Sequence, residues 1–503
     1  MGANYMQRIP GLLFFLFLIP FVAGSQIMPK EGSKLHYRLI GFSFPVVSGA
    51  SGYNIEIAKG NYNSEKEFRK NIFETRPGES NKIIAEVPFF GKEYTWRVSY
   101  TNKRSKVKKS ELHHFATLAV DSNMQRLRVI KQAETYKDAY VFLDANKALY
   151  DMKGNLVWFL PGISGISNDN ANVRDLKISA EGAITFMLND KQAYEINYNG
   201  DILWRAPDNG NDNPNLHYHH QFTHLSNGNY MILGTEPVTL KINKEHPFDS
   251  ISIVAGADTI KKDKNTDYKP FPLGSIIEYS PSGNVVWQWK TSQHFDSSGI
   301  AYCLPHHGKN KFEVHLNAFF FDEQDSIIYL SFRNTSQVVS IKYPEGTIVN
   351  AYGGNDSGLF YGQHSCIHSR AGYLYLFDNN QKMAGNLPKI LMLQEPLSKN
   401  DTLKKIWEYE YTPDGINEKQ QPTTGFTIGG NVIELPDNSL FTSMCNPYSE
   451  VLIVSHDKKI LWSAIPETWS VINKKWMPFS QYRASIITGR TEMEHLVWSN
   501  GKN

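Results

Sequence analysis

The segment Gly154-Asn155-Leu156-Val157-Trp158 decides the fold, because its pattern of a glycine, aliphatic residues and a tryptophan returns along the chain. Strand-like repeats spaced roughly 45 to 80 residues apart are typical of β-propeller blades with long loops. Six copies therefore predict an all-β fold with a six-bladed propeller, in which each Trp packs between neighbouring blades. The other copies are Gly200-Asp201-Ile202-Leu203-Trp204, Gly283-Asn284-Val285-Val286-Trp287, Gly346-Thr347-Ile348-Val349-Asn350, Lys404-Lys405-Ile406-Trp407 and Lys459-Ile460-Leu461-Trp462.

The length of the repeating region agrees with this number of blades. Division of the chain after residue 126 by six gives on the order of 60 residues per blade, and polar inserts at 241–272 and 291–313 explain the excess. The terminal run Arg483-Ala484-Ser485-Ile486-Ile487 is strand-like, as is Ala139-Tyr140-Val141-Phe142 near the start. We hypothesise that these two runs share one blade and close the ring, because closure removes exposed sheet edges.

The start of the chain indicates export and a second, smaller domain. Arg8, the apolar run 12–21 and the small residues Val22-Ala23-Gly24 predict a signal peptide over 1–24. The apolar run is too short for a spanning helix, which needs roughly 20 residues, so we expect no stable membrane insertion. Alternating runs such as Tyr94-Thr95-Trp96-Arg97-Val98-Ser99-Tyr100 predict a small β-sandwich over 25–120, similar to fibronectin type III domains, before a propeller over 121–503.

Composition argues against several kinds of partner. The 52 Lys and Arg residues nearly balance the 50 Asp and Glu residues, and no basic run interleaves with aromatic residues, so we expect no nucleic acid partner. Cys303, Cys366 and Cys445 are few and widely spaced, which argues against a disulfide framework or a thiolate metal site. A single disulfide between two of them remains open.

Three histidines occupy similar places in three repeats. His220, His315 and His364 each stand shortly before a turn and a strand-like run, namely Tyr230-Met231-Ile232-Leu233, Ile327-Ile328-Tyr329-Leu330 and Tyr373-Leu374-Tyr375-Leu376. Equivalent positions of a closed ring converge on its axis, so we expect the three imidazoles to line one axial pocket. Arg333 follows the second of these runs and could approach the same pocket.

An arginine among histidines suits a tetrahedral oxyanion such as sulfate or phosphate. The planar guanidinium binds two oxygens at once, and imidazoles donate to the others. A neutral imidazole is also a nucleophile, and a second one can act as acid or base. Two alternatives stay open: a zinc or copper site, which would lack a carboxylate or thiolate ligand, and histidines that merely bind loop carbonyls.

The motifs of the second domain resemble those of the bacterial arylsulfate sulfotransferases. The motifs are His219-His220, Leu225-Ser226-Asn227-Gly228-Asn229, His315-Leu316-Asn317, Ser331-Phe332-Arg333, Gln363-His364-Ser365 and Phe377-Asp378-Asn379. The resemblance implies a periplasmic six-bladed propeller with an N-terminal sandwich. It also implies transfer of a sulfuryl group from a phenolic sulfate donor to a phenolic acceptor, in ping-pong order, without a nucleotide or other cofactor.

The resemblance also implies a role for each residue. His364 would be the nucleophile that becomes a sulfohistidine, Arg333 and His315 would hold the sulfuryl oxygens, and His220 would complete the cradle or handle the phenolic proton. His219, Asn317 and Gln363 would contact substrate, and the adjacent histidines leave a one-residue ambiguity. The chain departs from the family pattern at Ala318, where a hydroxyl residue is common, and in lacking a closely spaced cysteine pair. A homo-oligomeric state remains open.

Three rival functions deserve weight. A quinoprotein dehydrogenase also repeats a Gly-aliphatic-Trp motif, but it has eight blades and a calcium-binding quinone site with acidic ligands. A non-catalytic exported propeller would bind glycans or proteins, and its histidines would tolerate replacement. A nucleotide-dependent sulfotransferase is disfavoured because the sequence shows no strand, glycine-rich loop and helix unit for phosphates.

Overall fold

The computed structural model describes most of the chain and confirms an all-β fold with 35 strands and two α-helices among the described residues. These residues are 26–102, 106–120, 125–162, 172–189, 191–208, 217–245, 251–254, 264–294, 314–354, 357–383, 385–397, 401–412, 427–444 and 446–499. The predicted signal peptide, Cys303 and Cys445 lie outside them. Among the described residues, no helix is both long and apolar enough to cross a bilayer.

Contacts divide the chain into two compact units. The first comprises 1–33, 41–85 and 93–115, and the second comprises 34–40, 86–92 and 116–503. Three short segments of the predicted sandwich, 34–40, 86–92 and 116–120, therefore belong to the second unit. The predicted domain boundaries at 24 and 120 stay predictions.

The N-terminal strands form one six-stranded and one two-stranded antiparallel sheet. The order of the larger sheet is β1-β8-β6-β3-β4, with β7 paired to β6, and β2 pairs with β5. Tyr53, Ile55 and Ile57 of β3 are buried at every second position, and Trp96 packs edge-on against Phe42 at 4.9 Å. Period-two alternation thus puts one face of β3 in the core. The elements are β1 (Ser33–Leu35), β2 (Leu39–Ser43), β3 (Ala50–Lys59), α1 (Glu65–Lys70), β4 (Ile72–Gly78), β5 (Lys82–Glu86), β6 (Glu93–Asn102), β7 (Val107–Lys109) and β8 (His113–Thr117).

The described residues after 120 form six antiparallel sheets of at least four strands each, which we number in chain order. Sheet 1 contains β10 (Tyr140–Leu143), β11 (Ala148–Asp151), β12 (Leu156–Phe159) and β35 (Ala484–Ile487). Sheet 2 contains β13 (Val173–Ile178), β14 (Ile184–Leu188), β15 (Gln192–Ile196) and β16 (Ile202–Arg205). Sheet 3 contains β17 (Tyr218–His224), β18 (Tyr230–Asn243), β19 (Ile251–Val254), β20 (Thr266–Tyr279) and β21 (Val285–Lys290).

The remaining three sheets follow in the same order. Sheet 4 contains β22 (Leu316–Asp322), β23 (Ile327–Phe332), β24 (Gln337–Lys342) and β25 (Ile348–Gly353). Sheet 5 contains β26 (Ser365–His368), β27 (Tyr373–Asp378), β28 (Lys389–Gln394) and β29 (Lys404–Glu410). Sheet 6 contains β30 (Asn431–Glu434), β31 (Leu440–Ser443), β32 (Val451–Val454), β33 (Ile460–Ser470), β34 (Lys475–Pro478) and β9 (Gln125–Lys131), and helix α2 (Arg490–Trp498) follows β35.

One strand of each sheet contacts its counterparts in the neighbouring sheets, and we call it the first strand. The first strands of sheets 1 to 6 are β35, β13, β17, β22, β26 and β30, and contacts join them in this order. Sheet 6 meets sheet 1 where the side chain of Asn431 exchanges two hydrogen bonds with the backbone of Ala484. The starts of the first strands are thereby brought together.

Sheet 1 contains an early strand, β10, next to the last strand, β35, which confirms the predicted pairing. Strand β10 pairs antiparallel with β35, with Tyr140 opposite Ile487 and Leu143 opposite Ala484. The last strand therefore completes the sheet begun by an early one, and neither of these strand edges is left open at this point.

The repeated tryptophans lie between consecutive sheets, as predicted. The indole nitrogen of Trp158 donates to the carbonyl of Tyr198 in the next sheet at 3.0 Å, and Trp462 of sheet 6 donates to Met152 of sheet 1 at 3.0 Å. Trp287 and Trp407 bind Pro344 and His456 in the same way, at 2.7 and 2.8 Å. Trp204 instead stacks on Tyr230, with ring centroids 3.9 Å apart. We call these five residues the tryptophan belt.

Candidate functional site

Three first strands share an irregular backbone near their starts, where one residue has a positive φ angle. Asp175, His220 and His315 have positive φ angles of 55°, 65° and 55°. The strand register shifts at Asp175 in β13 and at His220 in β17, and it shifts in β22 directly after His315. Positive φ is uncommon for residues other than glycine, and a bulge re-aims side chains. Strand alternation therefore does not govern His315 and Asn317, whose side chains have different partners.

The structure brings the predicted histidines into one cluster. The ring centroid of His220 lies 5.0 Å from that of His315 and 5.8 Å from that of Tyr482. The Tyr482 ring in turn lies 6.1 Å from the His364 ring. His219 stands behind His220, with their Nδ1 atoms 2.7 Å apart. Of the adjacent pair, His220 is thus the one that contacts His315, and we call these four histidines the histidine cluster.

Asn379 holds the ring of His364. The His364 Nδ1 atom lies 2.5 Å from Asn379 Oδ1 and 3.2 Å from the carbonyl of Gly362. The Asn379 amide nitrogen donates to Thr427 Oγ1 at 3.1 Å and to the Gly429 carbonyl at 3.0 Å, which fixes the amide orientation. Because both partners of Nδ1 are acceptors, the network assigns the proton to Nδ1 and leaves the lone pair on Nε2.

Burial and positive charge keep two of the histidines neutral. Loss of solvent lowers the pKa of His364 well below 6.5, and the positive charge of Arg333 lowers this pKa further. The pKa of His220 is lowered well below 6.5 by the same loss of solvent and by His219, His315, Arg174 and Arg483. Both imidazoles are therefore neutral bases at physiological pH.

Arginines lie beside the cluster. The Arg333 backbone nitrogen donates to the His315 carbonyl at 3.0 Å, and its Nη2 lies 3.4 Å from Gln381 Oε1. The Arg174 guanidinium lies 4.5 Å from the centroid of the Tyr482 ring. Positive charge next to neutral imidazoles suits an anionic group with several oxygens.

Asn317 and Gln363 lie near the cluster but bind other parts of the protein. The Asn317 amide donates to the Gln363 carbonyl at 2.8 Å and accepts from Ser331 Oγ at 2.9 Å. The Gln363 amide donates to the carbonyls of Phe332 and Gln337 at 3.2 and 2.9 Å. Both side chains are buried and join sheets 4 and 5, and their predicted contact with substrate stays a prediction.

Sequence reasoning missed four residues at the site: Arg174, Asp175, Tyr482 and Arg483. Arg174 and Asp175 stand at the start of β13, and Tyr482 and Arg483 precede β35. These are the places that the histidines occupy in sheets 3, 4 and 5. Extending the repeat alignment to the first and second sheets would have found them.

The described part of the chain contains no group of three or more His, Cys, Asp or Glu side chains placed to hold a metal ion. Cys366 is buried and has no disulfide partner among the described residues. Any pairing between Cys303 and Cys445 lies outside them.

Solved structures overlap with the chain only loosely. A Bacteroides caccae protein of unknown function is 12% identical, with a TM-score of 0.40, over 65% of this chain and 93% of that one. The β-propeller domain of Cps50 (Swd1) from Myceliophteria thermophila is 8% identical, with a TM-score of 0.34, over 72% and 99%. An auxiliary nutrient binding protein from Bacteroides ovatus is 8% identical, with a TM-score of 0.33, over 92% and 90%.

A family model gives the informative comparison, since no curated protein matches the chain. The arylsulfotransferase (ASST) family model matches residues 125–357. The match includes His219, His220, His315 and Arg333, and it ends seven residues before His364. Residues 125–357, a little under half of the chain, are therefore similar to the arylsulfotransferase (ASST) family.

Proposed function

We propose that this chain is an arylsulfate sulfotransferase that transfers a sulfuryl group between phenols through a sulfohistidine at His364. The family match supports an arylsulfotransferase-type function in general. The observation that carries the finer proposal is the 2.5 Å contact between His364 Nδ1 and Asn379 Oδ1. It leaves Nε2 as the basic nitrogen of a neutral imidazole, which is the form that attacks an electrophile.

The proposed architecture is a six-bladed propeller preceded by a β-sandwich. Six consecutive antiparallel sheets, first strands in contact, and the tryptophan belt all support the propeller. The pairing of β10 with β35 is the strand exchange by which such a ring would close. The two antiparallel sheets of the N-terminal strands support the sandwich.

The first half-reaction would load the enzyme. His364 Nε2 attacks the sulfur of the aryl sulfate, an N–S bond forms, and the bond between sulfur and the phenolic oxygen breaks. The bonding electron pair leaves with the phenolate, which takes a proton from solvent. The imidazole ring becomes positively charged, and Asn379 Oδ1 stabilises this charge through the proton on Nδ1.

The second half-reaction would reverse these steps on a new phenol. The acceptor oxygen attacks the sulfur, the N–S bond breaks, and its electron pair returns to Nε2. His220 is suited to accept the phenolic proton, since its lowered pKa keeps it unprotonated, and it then releases this proton to solvent. Arg333 and His315 would hold the sulfuryl oxygens, whose charge persists through a loose transition state. No cofactor takes part in either step.

The protein would act outside the cytoplasm. The sequence pattern of 1–24 supports cleavage of a signal peptide and export to the periplasm. Its partners would be a phenolic sulfate and a phenol. Nucleic acid and a membrane anchor have no part in the proposal.

Initial-rate kinetics and covalent labelling test the proposal together. With a chromogenic aryl sulfate and phenol, ping-pong order gives parallel double-reciprocal lines. Incubation with donor alone, followed by intact-protein mass spectrometry, should show one added SO₃ group that phenol removes. His364→Ala should show no added mass, whereas His456→Ala, in the turn after β32, should behave like the parent. Turnover without phenol dependence, or labelling of the His364→Ala variant, would refute the mechanism.

A further inference from the structure

Arg483 joins four sheets through one buried guanidinium group. Its side chain precedes β35 and is 6% exposed. Nη1 donates to Asp175 Oδ1 and to Gln221 Oε1, both at 3.1 Å. Nη2 donates to the backbone carbonyls of Asn317 and His364, at 3.0 and 3.2 Å. The four acceptors belong to sheets 2, 3, 4 and 5.

Each acceptor stands within two residues of a side chain of the candidate site. Gln221 follows His220, Asn317 is two residues after His315, and the fourth acceptor is the carbonyl of His364 itself. Asp175 likewise follows Arg174. Displacement of the guanidinium would therefore move the backbone beneath several of the groups around the proposed sulfuryl site.

We propose that Arg483 is a positioning residue that fixes the relative placement of His220, His315 and His364. This role rests on the proposed function, because the placement matters only if these histidines act on one substrate. Arg483 would not itself contact the substrate. It would hold the backbone that carries the reacting groups.

The chemistry of the contacts requires an arginine. A planar guanidinium directs its Nη hydrogens along fixed directions, whereas a lysine ammonium is one point with three donors and cannot span four acceptors in this way. The backbone of Arg483 is also held, because its N–H donates to Asp144 Oδ2 at 2.8 Å. Removal of the guanidinium does not strand a buried carboxylate, since Asp175 keeps the Lys177 ammonium at 2.6 Å.

Arg483→Lys and Arg483→Gln test the proposal, with Arg490→Gln in helix α2 as the matched control. Misplaced reacting groups cost roughly 10²-fold in rate, so we expect kcat to fall by about that factor while KM for the aryl sulfate changes little. The positive charge of Arg483 also helps to lower the pKa of His364. The acidic limb of the pH–rate profile should therefore move to higher pH in Arg483→Gln but not in Arg483→Lys. This difference reports the charge of Arg483, whereas a fall in kcat shared by both variants, with KM nearly unchanged, reports the placement of the histidines.

Folding of each variant is checked by its thermal midpoint. If the Arg483 variants do not fold, Asp175→Asn decides, because it weakens one charge-assisted bond and should lower kcat roughly tenfold. A folded variant whose kcat stays within about threefold of the parent overturns the positioning role. If such a variant keeps its kcat while His364→Ala is inactive, only the positioning role of Arg483 fails. If His364→Ala is also active, the proposed function fails.

Discussion

The tryptophan belt and the histidine cluster both arise from repeated positions, yet they use the repeat differently. Five sheets place a Trp on the fourth strand counted from the first strand, and four of these indoles donate to a carbonyl of the next sheet. The starts of the first strands carry histidines in sheets 3, 4 and 5 but arginines in sheets 1 and 2, namely Arg483 and Arg174. An interface that recurs selects the same side chain in nearly every sheet, whereas a site for one small ligand needs more than one kind of side chain around it.

Loss of His364 should have the largest effect on activity. Under the proposed mechanism, His364→Ala removes the nucleophile and should lower the rate of transfer by up to roughly 10⁶-fold, the loss seen when a serine protease loses its nucleophile. The measurement is phenol-dependent release from a chromogenic aryl sulfate. A rate within about tenfold of the parent would mean that this histidine resembles the belt and serves only packing.

Loss of a belt residue should affect stability instead. Trp462 is fully buried, so Trp462→Ala should lower the free energy of unfolding by about 3–5 kcal/mol. The less buried Trp287 is the matched position, and Trp287→Ala should cost clearly less. Urea denaturation measures both effects. A large fall in the rate per folded molecule of Trp462→Ala would break the division between packing and chemistry.

The hydrogen bond that His364 Nδ1 donates to Asn379 should matter through the tautomer of His364. Asn379→Leu removes the Nδ1 acceptor and should lower kcat/KM by roughly 10- to 100-fold, the usual effect of losing such a partner. Asn379→Asp keeps an acceptor and adds negative charge, so it should retain more activity and move the acidic limb to higher pH. Equal activity of the two variants would contradict the assigned tautomer.

The pH dependence follows from the lowered pKa values of His220 and His364. Their neutral forms are the reactive ones, so activity should remain constant through pH 6.5 and fall only at lower pH. Stability should fall in the same direction, because the unfolded chain binds protons near pH 6.5 and the folded chain does not. Rates and thermal midpoints between acidic and neutral pH measure both. A half-maximal rate at pH 6.5 would show imidazoles that are solvated rather than buried.

The smallest effect is expected where the belt is interrupted. Asn350 stands at the Trp position of the fourth copy and is exposed, so Asn350→Ala should change the free energy of unfolding by less than about 0.5 kcal/mol. Thermal denaturation of Asn350→Ala and of Trp462→Ala, under the same conditions, measures the difference between the two losses of stability. A loss as large as that of a buried Trp would show that the repeat, rather than burial, determines the contribution.

Prediction from sequence succeeded where the signal was repeated and local. The Gly-aliphatic-Trp copies predicted the fourth strand of each sheet, counted from the first strand. The pairing of β10 with β35 was also predicted. His220, His315, Arg333 and His364 were chosen from sequence, and the structure brings them together. Arg174 and Arg483 were missed because they are not histidines. Strand alternation did not describe His315 because its φ angle is positive and the strand register shifts directly after it.

The amino-acid sequence by itself determined the strand pattern, the belt and the chemical types of the candidate residues, because alternation and turn preferences act over a few neighbouring residues. Only the tertiary structure decided which nitrogen of His364 is basic, which of two adjacent histidines meets His315, and that one guanidinium binds four sheets. These properties depend on partners far apart in the chain, such as Asp175 and Arg483. Burial and hydrogen-bond direction exist only once the sheets have assembled.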